Sequence, residues 1–126
     1  MDQLIFIYNA KSGLVNSIFD YVHKFVSPQT YSCNLCLITY DNMGKKDEWS
    51  NYLKSLSIEV IFAYKNNIKN YIKSFKYTNE HLPCAYLLNK DGFKLFISNK
   101  EMNNVKKLSE LIELVNRKLL IYSLQS

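Results

Sequence analysis

The residues best suited to chemistry are two cysteines with two residues between them. Cys33 and Cys36 form this CxxC pair. Cysteines at that spacing bind a soft metal ion or close a short disulfide, because the thiolate is both a soft ligand and a nucleophile. A zinc site needs two more ligands, and cysteine is also among the most buried residue types. The pair alone therefore leaves three interpretations open: structural thiols, a metal site or a redox pair.

An aspartate and a histidine on a predicted helix supply candidates for the two missing ligands. Asp20 and His23 are three residues apart, so their side chains lie on one helix face. That helix is expected to end at the amino edge of the sheet, where the next predicted strand starts. We predict that the pair cycles redox state beside His23, or that four residues bind zinc or another soft metal there. Those metal ligands are Asp20, His23, Cys33 and Cys36. The alternative for His23 is a favourable position at the carboxyl end of its helix.

The third cysteine stands apart from the pair in the sequence. Cys84 follows Pro83 directly, and we expect it at the opposite edge of the sheet. A single thiol there is a candidate catalytic nucleophile if its surroundings lower its pKa. The alternative is a buried cysteine that packs beneath a hairpin. His81 is a poor partner for this thiol, because residues three apart on an extended chain point in different directions.

A short loop after the first predicted strand has the composition of an anion-binding site. Residues 9–13 join a buried strand to the start of a helix, where unpaired backbone N–H groups attract anions. The candidate anion-binding residues are Asn9, Lys11, Ser12 and Gly13. The alternative is that Ser12 caps the helix and Gly13 makes a turn.

Four lysines recur at helical spacing in the second half of the chain. Lys65, Lys69, Lys73 and Lys76 are separated by four, four and three residues, with no acidic residue inside the run. On a helix they form one basic face interleaved with tyrosines. Such a face is a candidate surface for nucleic acid or another anionic partner, such as a membrane. The alternative is the solvated face of an ordinary amphipathic helix.

These candidates depend on an alternating series of predicted strands and helices. Continuous apolar runs predict strands, apolar residues at intervals of three and four predict helices, and Asp91-Gly92 predicts a hairpin turn. The strands are predicted at residues 4–8, 35–40, 58–62, 85–88 and 93–97, and the helices at 14–26, 46–55, 68–75 and 105–119. The order β-α-β-α-β-α-β-β-α indicates one α/β domain over residues 1–126. Its sheet is predicted to be mostly parallel with a terminal antiparallel hairpin.

The order of these elements and the position of Pro83 resemble the thioredoxin-like fold. The resemblance covers nearly the whole chain. It implies that Pro83, which precedes the hairpin, has a cis peptide bond and faces the active site. The chain departs from that family because its two loops from strand to helix, residues 9–13 and 41–45, contain no cysteine. The usual dithiol is therefore absent from its usual place.

A second resemblance concerns the stretch from Tyr8 to Cys36. It is similar to a small bacterial family with no assigned activity, so it implies no function. The residues that carry it are Tyr8-Asn9-Ala10, Ser12-Gly13, Asp20, His23-Lys24, Ser27-Pro28, Thr30-Tyr31, Cys33 and Cys36.

Composition and charge limit the class of protein without indicating an activity. Of 126 residues, 48% are hydrophobic and 21% are charged, which is typical of one globular domain and excludes disordered and collagen-like classes. The net charge is +5, but only one of the 16 basic residues is arginine, so the charge alone does not indicate recognition of bases or phosphates. No apolar run approaches the length of a membrane span, and the N-terminus lacks a basic leader. We therefore expect a cytoplasmic protein whose 3 cysteines meet a reducing environment.

Overall fold

The protein is a mixed α/β domain. A computed structural model describes residues 2–10, 33–41, 44–72 and 81–125. In chain order the elements are β1 (Gln3–Ile7), α1 (Asn34–Thr39), β2 (Tyr40–Asp41), β3 (Gly44–Lys45), α2 (Asp47–Lys54), β4 (Glu59–Ala63), a 3₁₀ turn (Ile68–Asn70), β5 (Cys84–Asn89), β6 (Gly92–Ile97), α3 (Asn99–Asn104) and α4 (Leu108–Gln125). None of the helices in these ranges is long and apolar enough to span a membrane.

The central sheet has four strands in the order β4-β1-β5-β6, and β2 and β3 form a separate two-stranded ribbon. Strand β1 runs parallel to β4 but antiparallel to β5, and β5 and β6 form the antiparallel hairpin. The hairpin prediction is confirmed, with Gly92 at a positive φ of 129° in its turn. Among the described strands of this sheet, one pair is parallel and two are antiparallel, so the prediction of a mostly parallel sheet is wrong there.

The segment that was expected to be the second strand is a helix. Residues 34–39 form α1, and only Tyr40–Asp41 continue as strand, outside the central sheet. The hydroxyl of Thr39 donates to the carbonyl of Leu35 one turn earlier, at 2.7 Å. Most of α1 is buried, so its apolar run lacks the polar face that marks a surface helix. A short apolar run of this kind does not distinguish a strand from a buried helix by periodicity.

The core lies on both faces of β1, as a continuous apolar strand predicts. Alternate side chains of β1 enter two separate apolar clusters. The first face contains Leu4, Phe6 and Tyr8 with Cys33, Cys36, Trp49, Leu53, Leu87, Leu111 and Val115. The second contains Ile5 and Ile7 with Ala63, Ile68, Ile72, Cys84 and Tyr86. Helices α1, α2 and α4 therefore cover the first face, and the 3₁₀ turn packs on the second.

The helix predicted from residue 68 is not formed in the described part of that segment. After β4 the chain makes turns, and the 3₁₀ turn covers only Ile68–Asn70. The side-chain oxygen of Asn67 accepts a hydrogen bond from the Tyr64 N–H at 2.8 Å. Asparagine competes with helical hydrogen bonds in this way. Residues 73–80 lie outside the described ranges.

Two helices follow the hairpin where one was predicted. Ser98 and Glu101 form a capping box at the start of α3, which ends before Val105. Helix α4 then begins at Leu108. The amphipathic pattern at residues 105–119 thus identified α4, which begins three residues later than predicted, whereas α3 was not predicted.

Candidate functional site

Cys33 and Cys36 form a disulfide across the first turn of α1. Cys33 is the N-cap residue, and its Sγ accepts a hydrogen bond from the Cys36 N–H at 3.3 Å. In a strand, residues three apart point to opposite faces, but at the start of a helix they lie on one side. The change from strand to helix is therefore what brings the two sulfurs together. Both residues are buried, with 0% and 1% of their surface exposed.

The residue between the cysteines anchors α1 to α3. The Asn34 side-chain amide donates to the carbonyls of Met102 and Val105, each at 2.8 Å. These carbonyls lie at the carboxyl end of α3, where no intrahelical N–H is left to pair with them. The two bonds satisfy both carbonyls, and they fix the position of the disulfide relative to the core.

Helix α3 also contacts Pro83. The Asn99 side chain donates to the Pro83 carbonyl at 3.2 Å, and the Leu82–Pro83 peptide bond is cis. Pro83 directly precedes β5, and β5 begins opposite the carboxyl end of β1. The proline and the disulfide-bearing helix are therefore held by the same short helix.

The disulfide helix lies next to the carboxyl end of β1. The Tyr8 hydroxyl, one residue past β1, is 3.1 Å from the Thr39 hydroxyl. Tyr8 is fully buried, and burial raises its pKa well above the ordinary value. Thr39 ends α1, so this end of the helix lies at the carboxyl end of β1. The cysteine pair, at the other end of α1, was expected at the amino edge of the sheet, and that placement stays a prediction.

Cys84 lies on the other face of the sheet. It begins β5 opposite Ile7 and belongs to the second apolar cluster. It is not part of the disulfide and is fully buried. Cys84 and the cysteine pair thus belong to apolar clusters on opposite faces of the sheet. Within this fold its thiol faces the core and not the solvent.

The proposed additional metal ligands lie outside the described residues. Asp20 and His23 belong to the stretch 11–32. Among the residues that the structure does describe, no group of three or more His, Cys, Asp or Glu side chains is placed to hold a metal ion. The zinc site with Asp20 and His23 stays a prediction.

The two candidate anion surfaces are described only in part. In the first loop Asn9 is described, whereas Lys11, Ser12 and Gly13 are not. The neighbouring Ala10 carbonyl accepts a hydrogen bond from the Lys65 N–H at 2.9 Å. Lys65 and Lys69 are exposed on turns. Lys73 and Lys76 lie outside the described ranges, so the basic surface stays a prediction.

Lys45, which was not among the candidate residues from the sequence, lies on an aromatic cluster. The ring of Tyr8 stacks on Tyr64 with centroids 5.3 Å apart, and lies 5.9 Å from the Phe62 ring. The Lys45 Nζ is 3.2 Å from the centroid of Phe62. Burial lowers the pKa of Lys45 to about 8. The signal available in the sequence was the turn predicted at residues 41–44. In the structure, Lys45 pairs with Tyr40 across the β2–β3 ribbon.

Comparison with known proteins supplies no relative from which a function can be carried over. No protein-family model matches the chain, and no curated protein or solved structure matches it. The chemistry of the site follows from its own geometry, which combines a buried disulfide, the Asn34 anchor and a proline held by the same helix, α3.

Proposed function

We propose that the protein is a small thioredoxin-like domain in which Cys33 and Cys36 cycle between a disulfide and a dithiol. The disulfide across the first turn of α1 is the observation that carries this proposal. The link between α1 and Pro83 through α3 supports it, because the thioredoxin-like resemblance implies that this proline faces the active site. The antiparallel hairpin and the closing helix α4 support the same fold.

The reaction is thiol–disulfide exchange with a low-molecular-weight thiol. One external thiolate attacks a sulfur of the disulfide, forms a mixed disulfide and releases the other cysteine as a thiolate. A second external thiol then displaces the bound one. The products are two cysteine thiols and one external disulfide, so two electrons and two protons have entered the protein. The reverse steps reoxidise the pair.

Two features of the site bear on this exchange. The Cys36 N–H that donates to the Cys33 Sγ favours the thiolate of Cys33 in the reduced protein, because a hydrogen bond to the charged form stabilises it. Both sulfurs are buried, so exchange requires local opening of α1. The two bonds of Asn34 to α3 hold α1 in place, and they therefore set how readily the disulfide is reached.

Soft-metal binding is a second candidate function of the same cysteines. Because the two sulfurs lie on one side of α1, the reduced pair presents two thiolates to one point, as zinc requires. Two further ligands are needed, and Asp20 and His23 are the predicted ones. Metal binding requires the dithiol, so it competes with disulfide formation rather than accompanying it.

The test is a redox titration of the full chain. The protein is equilibrated in reduced and oxidised glutathione at graded ratios, quenched with acid, unfolded and alkylated, and the alkylated cysteines are counted by mass spectrometry. We expect a single two-electron transition from one to three alkylated cysteines, with a midpoint between about −180 and −300 mV. In Cys84→Ser the count goes from zero to two at the same midpoint.

Two outcomes decide against the redox proposal. A pair that is still oxidised at the most reducing glutathione ratio, near about −300 mV, is a structural disulfide. A pair that stays reduced in the most oxidising buffer, but retains equimolar zinc through gel filtration, is a metal site. The second assignment requires that Cys33→Ser lose the zinc.

A further inference from the structure

A groove lies between α2 and the outer edge of the sheet. It has a volume of about 330 Å³ and lies against β4, an edge strand. Two of its lining residues, Lys45 and Lys54, are basic, and its apolar surface is formed by Leu53, Leu56, Ile58, Val60 and Phe62. Among the residues that the structure describes, no acidic side chain lines it. This volume is within the range of small-molecule sites, about 300–1,000 Å³.

Lys45 is held in the groove by the β2–β3 ribbon. It pairs with Tyr40 across the ribbon, and its ammonium lies 5.8 Å from the Tyr40 ring and 3.2 Å from the Phe62 ring. The face of an aromatic ring attracts a cation, but it does not neutralise the charge. Among the carboxylate side chains that the structure describes, none forms an ion pair with Lys45.

A second lysine provides the contrast. The Lys118 Nζ is 2.6 Å from a Glu101 carboxylate oxygen at the surface. Lys45 is more desolvated than an exposed lysine, as its lowered pKa of about 8 indicates, yet among the described residues the groups opposite its ammonium are aromatic rings. A partly buried cation is stabilised most by an anion that enters the same desolvated space. The groove suits such an anion because its described lining adds a second basic residue, Lys54, and Ser50 to otherwise apolar side chains.

We propose that this groove binds a small apolar carboxylate. The carboxylate group pairs with Lys45, and Lys54 adds a second positive charge. The hydrocarbon body lies on Leu53, Leu56 and Val60. Charge complementarity selects an anion over a neutral or cationic ligand, and the apolar floor selects a hydrocarbon chain over a small polar anion. The proposal does not depend on the disulfide.

The probe for this site is decanoate, and the chain carries its own reporter. Trp49 is the only tryptophan and is next to Ser50, which lines the groove. We expect saturable one-site binding, followed by Trp49 fluorescence and by calorimetry. Lys45→Gln is expected to weaken it at least tenfold, whereas Lys90→Gln, at the exposed hairpin tip, leaves it unchanged. Decanol, acetate and decyltrimethylammonium are expected to bind at least tenfold more weakly than decanoate.

A second variant protects the test against misfolding of the first. Leu56→Asp keeps Lys45 but places a negative charge on the floor, and it is expected to abolish decanoate binding. Thermal unfolding shows that each variant is folded. The proposal is overturned by absent binding, by equal binding of decyltrimethylammonium, or by an equal loss in Lys90→Gln. Dimerisation of the wild type that Leu56→Asp abolishes would assign the groove to a second copy of the chain, and would also overturn it.

Discussion

The disulfide site and the Lys45 groove border the same face of the sheet but differ in how their polar groups are paired. At the disulfide, the Asn34 amide has two carbonyl partners, and the Cys33 sulfur has both a covalent bond and a hydrogen bond. In the groove, the Lys45 ammonium faces aromatic rings. The polar groups of the disulfide site are thus paired by other groups of this chain. In our proposal, the Lys45 ammonium is paired by an external anion.

Tyr8 connects the two regions. Its hydroxyl lies within hydrogen-bond distance of Thr39 at the end of the disulfide helix. Its ring is 5.6 Å from Tyr40 and 5.9 Å from Phe62, the two rings that face Lys45. Because Tyr8 is fully buried, its contacts with both regions are direct packing contacts inside the core. Variants on the two sides can therefore be compared within one packed core.

The largest expected effect is the loss of the Asn34 anchor. Asn34→Ala leaves the carbonyls of Met102 and Val105 without their partner, and we expect the free energy of unfolding to fall by about 2–3 kcal/mol. The measurement is urea denaturation of the oxidised protein. Asn103→Ala is the matched control, because Asn103 is exposed and its side chain donates within its own helix, to Asn99. A loss of equal size in the two variants would contradict the anchor.

Reduction of the disulfide is expected to have a somewhat smaller effect. The bond closes a loop of four residues, and the entropy of closing so short a loop corresponds to about 2 kcal/mol. Urea denaturation with and without reductant measures it, and a Cys33→Ser/Cys36→Ser variant is expected not to respond. If the wild type is equally stable in both conditions, the disulfide contributes nothing to the packing of α1.

The outer elements of the fold were predictable because each has a distinct local signal. The hairpin had Asp91-Gly92 between apolar runs, and α2 had apolar residues at helical spacing. Residues 35–40 carried no such signal, since a mostly buried apolar helix shows no polar face in its sequence. Its helical form depends on contacts far along the chain, namely those of Asn34 with Met102 and Val105. Sequence periodicity does not contain these contacts.

The candidate site was predictable in composition but not in position. The cysteine pair was identified from its spacing, whereas the position of its helix, whose last residue lies at the carboxyl end of β1, follows from the contact of Thr39 with Tyr8. Lys45 belongs to no binding motif in the sequence, and its one local signal was the turn predicted before it. Its environment arises because the β2–β3 ribbon brings it onto Phe62, a residue of β4. Tertiary contacts of this kind decide which of many lysines is desolvated.

The smallest expected effect concerns the charge of Lys45. Burial lowers its pKa from the ordinary 10.5 to about 8 in the folded protein. Between these two values the unfolded chain keeps a proton that the folded protein has lost, so the stability of the wild type rises with pH in this window. Below pH 8 both states are protonated, and the folded state bears the full desolvation of the ammonium. Lys45→Met removes this titration.

The measurement is the free energy of unfolding of the wild type and Lys45→Met at pH 7 and pH 9.5. We expect the wild type to gain about 1 kcal/mol relative to the variant over this range, because solvent still screens the exposed part of the ammonium. Packing of methionine on Phe62 shifts the variant equally at both pH values, so it cancels from the change. Lys90→Met, at the exposed hairpin tip, is expected to alter stability by less than about 0.5 kcal/mol at either pH. A difference between wild type and Lys45→Met that does not change with pH would show that Lys45 is solvated like any surface lysine. The contrast between the paired disulfide site and the unpaired groove would then disappear.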